Sequence, residues 1–165
     1  MSSRQPLNKA TLTFLGVALS IVFFDQLTKT LALEYLELYQ PRPVIGELLQ
    51  FTLALNDRAA FSIGGANTWI FTLIASVVTL ALLWFGPKFK TKSWLLLGGI
   101  ALGGVTGNLI DRLFREPSFA NGHVVDFIQI PFNFPIFNIA DMAISSAAFL
   151  IALKVIRGEK FGGSK

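Results

Sequence analysis

Long apolar blocks separated by short polar segments dominate the pattern of hydrophobic and polar positions along this chain. A helix needs about 20 mostly apolar residues to cross the hydrocarbon core of a bilayer. Four stretches meet that length, at about residues 12–33, 68–85, 94–114 and 136–156. The pattern therefore predicts four transmembrane helices.

The first apolar block differs from a secretory signal peptide in its length and its contents. It carries Asp25 and Lys29, and no cleavage site of small residues follows it. Signal peptides have a shorter apolar region that ends at such a site. We therefore expect a retained helix.

Two of the segments between the predicted helices contain short apolar runs, at residues 47–55 and 122–130. Prolines and glycines bound both runs, including Pro41 and Pro43 before the first, and this is typical of strands between turns. We expect a small sheet that rests on the outer membrane face. The predicted fold class is a membrane all-α protein with a small β element, in one domain over residues 1–165.

Composition agrees with a membrane protein, and the charges orient it. Hydrophobic residues make up 53% of the chain, charged residues 15%, and the mean hydropathy is +0.59. Lysine and arginine are enriched on the cytoplasmic side of membrane proteins. They cluster at both chain ends and between the second and third helices, at Arg4, Lys9, Lys88, Lys90, Lys92, Lys154, Arg157, Lys160 and Lys165. Both termini are therefore predicted to be cytoplasmic, with about residues 34–67 and 115–135 outside.

The residue inventory excludes several chemistries. The chain has no cysteine, so disulfides, thiolate metal sites and a cysteine nucleophile are excluded. The only histidine, His123, has no cluster of partner residues, which argues against a zinc site and against a Ser/His/Asp triad. We expect His123 to lie on a strand surface, and we expect no metal and no cofactor.

Charged side chains inside the predicted helices mark candidate functional positions, because a charge in hydrocarbon is costly and usually finds a partner. Asp25 and Lys29 lie four residues apart on one face of the first helix. Two interpretations stay open. The two side chains form an internal ion pair, or Lys29 meets the phosphate of a lipid near the interface.

The third helix combines a packing pattern with a polar cluster. Glycines recur at the four-residue interval that lets a second helix approach closely, at Gly99, Gly103 and Gly107. Asn108, Asp111 and Arg112 share one face at the end of the same helix. They form an Asp–Arg cluster that ties helix ends together, or Asn108 or Arg112 contacts the headgroup or backbone of a substrate.

Two further carboxylates stand out. Asn138, Asp141 and Ser145 fall on one stripe of the fourth helix, with Asp141 about 7–8 Å below its outer end and no basic residue in the next turn. Such a lone carboxylate is a functional candidate. Asp126 lies in the second predicted strand, where an aspartate on its own is more often structural.

The predicted topology brings the polar positions to one level. The outer halves of the helices and the outer segments together carry Asp25, Lys29, Asn56, Asn108, Asp111, Arg112, Asp126, Asn138 and Asp141. Ion pairs that serve stability alone would not require this convergence. The sequence therefore predicts one polar site near the outer interface.

Five short blocks of polar and apolar residues follow one another along the chain. They are DQLTK at 25–29, NDRAAF at 56–61, GVTGNLIDR at 104–112, VVDF at 124–127 and FNIAD at 137–141. Together they resemble the bacterial lipoprotein (type II) signal peptidase family. Each block alone is a weak pattern. Their order, on a chain of this length and topology, is specific, and the resemblance covers about residues 10–157.

The resemblance implies an aspartyl endopeptidase whose catalytic pair is Asp126 and Asp141. It implies substrate-binding or site-shaping roles for Asn56, Asn108, Arg112 and Asn138. It implies supportive roles for Asp25, Lys29 and Asp111. One position departs from the family pattern, since Arg58 stands where the second block usually has glycine. A glycine permits tight backbone geometry, so Arg58 puts the local conformation in question without being expected to abolish activity.

By the same resemblance, the substrate is a prolipoprotein whose lipobox cysteine carries diacylglycerol, and cleavage falls just before that cysteine. The enzyme is expected in the bacterial cytoplasmic (inner) membrane, as a monomer in contact with phospholipid, with its active site toward the outer leaflet and no nucleic-acid partner. Two adjacent carboxyl groups would share a proton; one would activate water and the other would support the oxyanion, without a covalent intermediate. Which aspartate takes which role stays open, because such a pair titrates as a unit.

Two other functions fit composition and topology alone. A proton- or ion-coupled transporter would use Asp25, Asp111 and Asp141 as relay groups, but it would place charges near the midplane and show an internal repeat. A structural or assembly protein would leave Asp126 and Asp141 unexplained. The set of motifs favours the peptidase.

Overall fold

Four long helices carry the fold of the computed structural model, which describes residues 9–57 and 68–159. They are α1 (Lys9–Tyr35), α2 (Thr68–Phe85), α3 (Lys92–Phe114) and α4 (Ile139–Ile156). Among the described residues, four helices are long and apolar enough to cross a membrane, and each matches a predicted span. The chain is therefore a multi-pass membrane protein, and the predicted helices are confirmed.

Helix α3 is the central element of the bundle. Of its most apolar stretch, 56% is buried, compared with 17% for each of the other three helices. It packs against all three of them. The contacts between α1 and α3 run from Phe14 beside Gly98 to Asp25 beside Gly107, so these two helices are parallel. Helix α4 runs antiparallel to α3.

Glycines on α3 allow α1 to approach closely. A Cβ atom added at Gly103 would lie 2.6 Å from Cβ of Ile21 and 2.8 Å from the backbone oxygen of Ala18. A Cβ atom added at Gly99 would lie 2.7 Å from the backbone oxygen of Phe14. Non-bonded atoms do not approach this closely without displacement, so the glycines serve packing, as their spacing predicts.

A three-stranded antiparallel sheet covers the end of the bundle where α3 ends and α4 begins. Its strands are β1 (Arg42–Ile45), β2 (Leu49–Asn56) and β3 (Val124–Gln129), in the order β1-β2-β3. Strands β2 and β3 confirm the two predicted runs, with ends shifted by one or two residues. Leu53, Val125 and Phe127 of the sheet pack against Ala32 near the end of α1. This contact seats the sheet on the bundle.

Strand β1 was not predicted, because Pro41 and Pro43 indicated turns before the first apolar run. Proline lacks a backbone N–H and is therefore confined to edge strands or strand ends. β1 is an edge strand, and all four of its residues are exposed. The proline pattern that indicated a turn is thus compatible with this strand.

Helix α4 begins later than the apolar pattern predicts. Phe137 exchanges backbone hydrogen bonds with Ile128 of β3, so the chain stays extended until Asn138, which caps the helix. Asp141 therefore lies in the first turn, about 4–5 Å from the helix start rather than the predicted 7–8 Å. The predicted depth of Asp141 is wrong for this reason.

The glycine contacts lead to a stability prediction. Gly103→Ala should lower the thermal stability of the protein in detergent, because the added methyl group overlaps the side chain of Ile21 and the backbone of Ala18. Overpacking of this kind typically costs about 1–3 kcal/mol. The matched control is Gly16→Ala on α1, where no heavy atom lies within 4 Å of the added Cβ atom. Equal unfolding temperatures for the two variants would contradict the packing role.

Candidate active site

Two carboxyl groups on different elements line one cavity. Asp126 is the third residue of β3, and Asp141 lies in the first turn of α4. The cavity has a volume of about 1500 Å³ and extends between the sheet and the helices. Asp126 is only 2% exposed. The structure thus brings together the two aspartates that the sequence singled out.

Asn138 connects the two carboxyl groups. Its side-chain Nδ2 donates to Oδ1 of Asp126 at 2.7 Å. Its Oδ1 accepts from the backbone N–H of Asp141 at 2.9 Å, and its own backbone N–H donates to Oδ2 of Asp141 at 3.2 Å. The last two bonds form a capping box, so the start of α4 fixes where the Asp141 carboxyl group lies.

A second amide donor reaches each carboxyl group. Asn56 donates through Nδ2 to Oδ2 of Asp126 at 2.9 Å, and Asn108 donates through Nδ2 to Oδ1 of Asp141 at 2.8 Å. With the two bonds from Asn138, all four carboxyl oxygens accept a hydrogen bond. These donors hold both groups in place and offset part of the cost of burying them.

Burial changes the proton affinity of Asp126. Loss of solvent raises the pKa of this carboxyl group from 3.8 to about 7, and the nearby charge of Asp141 acts in the same direction. Hydrogen bonds from Asn56 and Asn138 and the charge of Lys29 act against this rise. A raised carboxyl pKa means that the proton is kept to higher pH. The pair therefore retains a proton near neutral pH.

Lys29 lies next to the pair at the centre of a buried charge cluster. Its Nζ atom lies 2.8 Å from Oδ2 of Asp25, 2.8 Å from Oδ2 of Asp111 and 2.9 Å from Oδ1 of Asn108. The side chains of Lys29, Asp25 and Asp111 are 0% exposed. The predicted internal ion pair with Asp25 is present, and the alternative contact of Lys29 with a lipid phosphate is wrong because the side chain is enclosed.

Asp111 pairs with a residue that the sequence did not indicate. Its Oδ1 accepts from Nε of Arg115 at 2.7 Å, and its Oδ2 accepts from the backbone N–H of Val125 at 3.2 Å. Arg112 instead lines the cavity, with its guanidinium carbon 5.5 Å from the ring centroid of Phe71. The three polar residues that end α3 thus share a face but serve different contacts.

Two further residues belong to the site, although sequence reasoning gave them no role in it. Nε2 of Gln26 donates to carboxyl oxygens of Asp25 and Asp111 and to the backbone oxygen of Gly107, at 3.0–3.2 Å. The position of Gln26 beside Asp25 in the first block was the sequence feature that could have indicated this role.

His123 precedes β3 and lines the cavity, so its predicted place on a strand surface is wrong. Arg58 lies outside the described residues.

Comparisons with known proteins agree with this architecture. The family model described as signal peptidase (SPase) II matches residues 17–157. A lipoprotein signal peptidase of Leifsonia xyli subsp. xyli is 45% identical over 149 residues, which cover 90% of this chain and 69% of that protein. A lipoprotein signal peptidase of Mycobacterium avium is 40% identical over 147 residues, which cover 89% of this chain and 80% of that protein.

Two solved structures of bacterial membrane enzymes have the same fold. One has a TM-score of 0.80 at 28% identity and covers 93% of each chain. The other has a TM-score of 0.73 at 29% identity and covers 87% of this chain and 92% of that chain. The family model spans most of the sequence, the relatives match most of its length, and the membrane fold is shared. The chain therefore belongs to the signal peptidase II family.

Proposed function

We propose that this chain is an aspartic endopeptidase that removes the signal peptide from lipid-modified prolipoproteins, with Asp126 and Asp141 as its catalytic pair. The observation that carries the proposal is the pair of carboxyl groups joined by Asn138 at the wall of a large cavity. The relatives named lipoprotein signal peptidase support the substrate class. Asp25 and Asp111, which a transporter would use as relay groups, are both held by Lys29.

The proposed chemistry uses the proton that the pair keeps near neutral pH. The ionised carboxylate takes a proton from a water molecule, whose oxygen attacks the scissile carbonyl carbon. The protonated partner donates to the carbonyl oxygen and stabilises the tetrahedral intermediate. When the C–N bond breaks, the leaving nitrogen receives a proton from the pair. Both aspartates are needed, because one group alone cannot supply a base and an acid together.

The cavity lining suits a lipid-modified peptide. Helix α4 contributes Met142, Ile144, Ser145 and Ser146, and the sheet side contributes Leu55 and other apolar groups. The Met142 side chain is 48% exposed on the surface of the helix bundle. A cavity wall that continues onto this surface would let a membrane-embedded helix and its acyl chains reach the carboxyl pair from the side.

The orientation in the membrane is part of the proposal. Lys88, Lys90 and Lys92 lie around the start of α3, and Lys154 lies over the Trp94 ring at the same end. The carboxyl pair is at the other end of the bundle. Since lysine-rich ends are cytoplasmic, we place both termini in the cytoplasm and the cavity at the outer leaflet of the bacterial cytoplasmic membrane. The enzyme would act there as a monomer surrounded by phospholipid.

Removal of either carboxylate should abolish cleavage. We expect Asp126→Asn and Asp141→Asn each to lose about 100- to 10,000-fold in the cleavage rate of a diacylglyceryl-modified prolipoprotein, because each removes one half of the acid–base pair. A gel-shift assay in detergent, with and without a chelator, measures the rate. Glu47→Gln, at an exposed position in the turn between β1 and β2, is the control for charge loss. Near-normal cleavage by either Asp variant would make that carboxylate structural.

Substitutions at Asn138 should separate helix capping from catalysis. Serine is a good N-cap residue but has no amide to reach Asp126, so Asn138→Ser should keep the unfolding temperature and lose at least about tenfold in kcat. Asn138→Ala should lose activity and also about 1 kcal/mol of stability, because the cap is removed. Thermal unfolding and cleavage assays on both variants test this. Full activity of Asn138→Ser would show that the bond to Asp126 is dispensable.

The raised pKa of Asp126 predicts the pH dependence of cleavage. As pH rises through about 7, the pair loses its shared proton and the acid is no longer available. We expect kcat to fall about tenfold per pH unit above that point. Imidazole groups also change charge near neutral pH, so His123→Gln is the control and should keep the decline. A kcat that stays constant to pH 9 would contradict the shared proton.

A further inference from the structure

The two asparagines between the catalytic aspartates work only in one orientation of their amide groups. The oxygen and nitrogen of a side-chain amide have nearly the same size, so shape alone does not select which atom faces a carboxyl group. An amide nitrogen donates to a carboxylate, whereas an amide oxygen repels it. Some other contact must therefore fix the orientation of each amide.

The orientation of Asn138 follows from the helix cap. Its oxygen accepts from the backbone N–H of Asp141, which can only donate, so its nitrogen must face Asp126. The capping box alone therefore accounts for the orientation of the Asn138 amide.

The orientation of Asn108 depends on a charged side chain. Its Oδ1 accepts from Nζ of Lys29 at 2.9 Å and from Nδ2 of Asn138 at 3.2 Å, and both groups are donors. Its Nδ2 is thereby turned to Oδ1 of Asp141. In the reversed amide, two N–H groups would face the ammonium group and an oxygen would face the carboxylate.

The ammonium group itself has no freedom to turn away. An ammonium has three hydrogens, and within the part of the chain that the structure describes Nζ of Lys29 has three acceptors, on Asp25, Asp111 and Asn108. The side chain is fully buried, so water does not compete for these hydrogens. We propose that Lys29 is a positioning residue of the catalytic pair, whose charge holds the Asn108 amide with its NH2 group on Asp141. This inference rests on the proposed function of Asp126 and Asp141.

The charge balance of the cluster decides how the inference can be tested. Asp25 and Asp111 are offset by Lys29 and Arg115, so removal of Lys29 alone would leave one buried carboxylate uncompensated. In an Asp25→Asn background, Lys29→Met leaves Asp111 paired with Arg115. The substituted amide oxygen can still accept from the N–H of Ala140, as Asp25 does at 2.9 Å. Lys29→Met is therefore always made together with Asp25→Asn, and this charge-balanced variant, written below as Lys29→Met, is compared with the protein that keeps both residues.

The test is a double-mutant cycle between Lys29→Met and Asn108→Ala, measured as the single-turnover cleavage rate of a diacylglyceryl-modified prolipoprotein peptide. Lys29→Met should lower the rate at least about tenfold when Asn108 is present and by less than about twofold when Asn108→Ala is present. The Kd of the peptide should not change.

A second cycle between Lys29→Met and Asn56→Ala is the matched control. Asn56 donates to the other carboxyl group, Asp126, at 2.9 Å. The effects of these two substitutions on the rate should simply multiply. A readout independent of cleavage is the side-chain NH2 resonance of Asn108, assigned by its loss in Asn108→Ala. Lys29→Met should shift it, and Lys154→Met at the other end of the bundle should not.

Several results would overturn the positioning role. The first is a cycle with Asn108→Ala in which the effects of the two substitutions on the cleavage rate simply multiply. The second is the same coupling in the Asn108 and Asn56 cycles. The third is an Asn108 NH2 resonance whose chemical shift does not change in Lys29→Met. Loss of the thermal unfolding transition in the balanced Lys29→Met variant would assign Lys29 to stability alone. If Asp126→Asn is inactive and the Asn108 cycle shows no coupling, only this inference fails. If Asp126→Asn cleaves normally, the proposed function fails.

Discussion

The buried ammonium group of Lys29 is the interaction on which the arrangement of this molecule depends. Its partner Asp25 accepts the N–H of Ala140 in the first turn of α4, and its partner Asp111 accepts the N–H of Val125 in β3. One cation on α1 therefore ties together the helix and the strand that carry the two proposed catalytic carboxyl groups. Breaking a buried charge pair typically costs about 3–5 kcal/mol, because the remaining charge has neither water nor a partner. Relative movement of these elements is correspondingly costly.

The glycines of α3 and the charged residues of α1 both depend on the close approach of these two helices. A Cβ atom at Gly107 would lie 2.6 Å from Oδ2 of Asp25, the oxygen that contacts Lys29. Glycine at this position therefore makes room for the ion pair as well as for the helix backbone. On the other side of α3, a Cβ atom at Gly104 would lie 2.7 Å from the backbone oxygen of Ala140. Close packing and buried charge thus support each other, since the ion pairs are short only where the helices nearly touch.

The parts of the fold that could be predicted are those that one dominant force determines. The thickness of the hydrocarbon sets the length of the spans, so all four helices were found from apolar runs. Strand β1 was missed, because its four residues are exposed and a short edge strand has no burial pattern. The start of α4 was misplaced, because Phe137 is as apolar as a helix residue but pairs with Ile128. That pairing joins distant parts of the chain, and no local pattern reports it.

In the polar site, the sequence predicted where the side chains lie but not which side chains contact each other. Topology predicted which polar residues would come together at one end of the bundle, but not that Arg115 would pair with Asp111 while Arg112 lines the cavity. Spacing on one helix face limits the partners without choosing among them. The two aspartates also meet different surroundings: Asp126 is enclosed by the sheet, whereas Asp141 lies at the start of a helix and accepts the backbone N–H of Asn138. Chemically identical groups in unlike environments can divide one proton between them, and that asymmetry is what an acid–base pair requires.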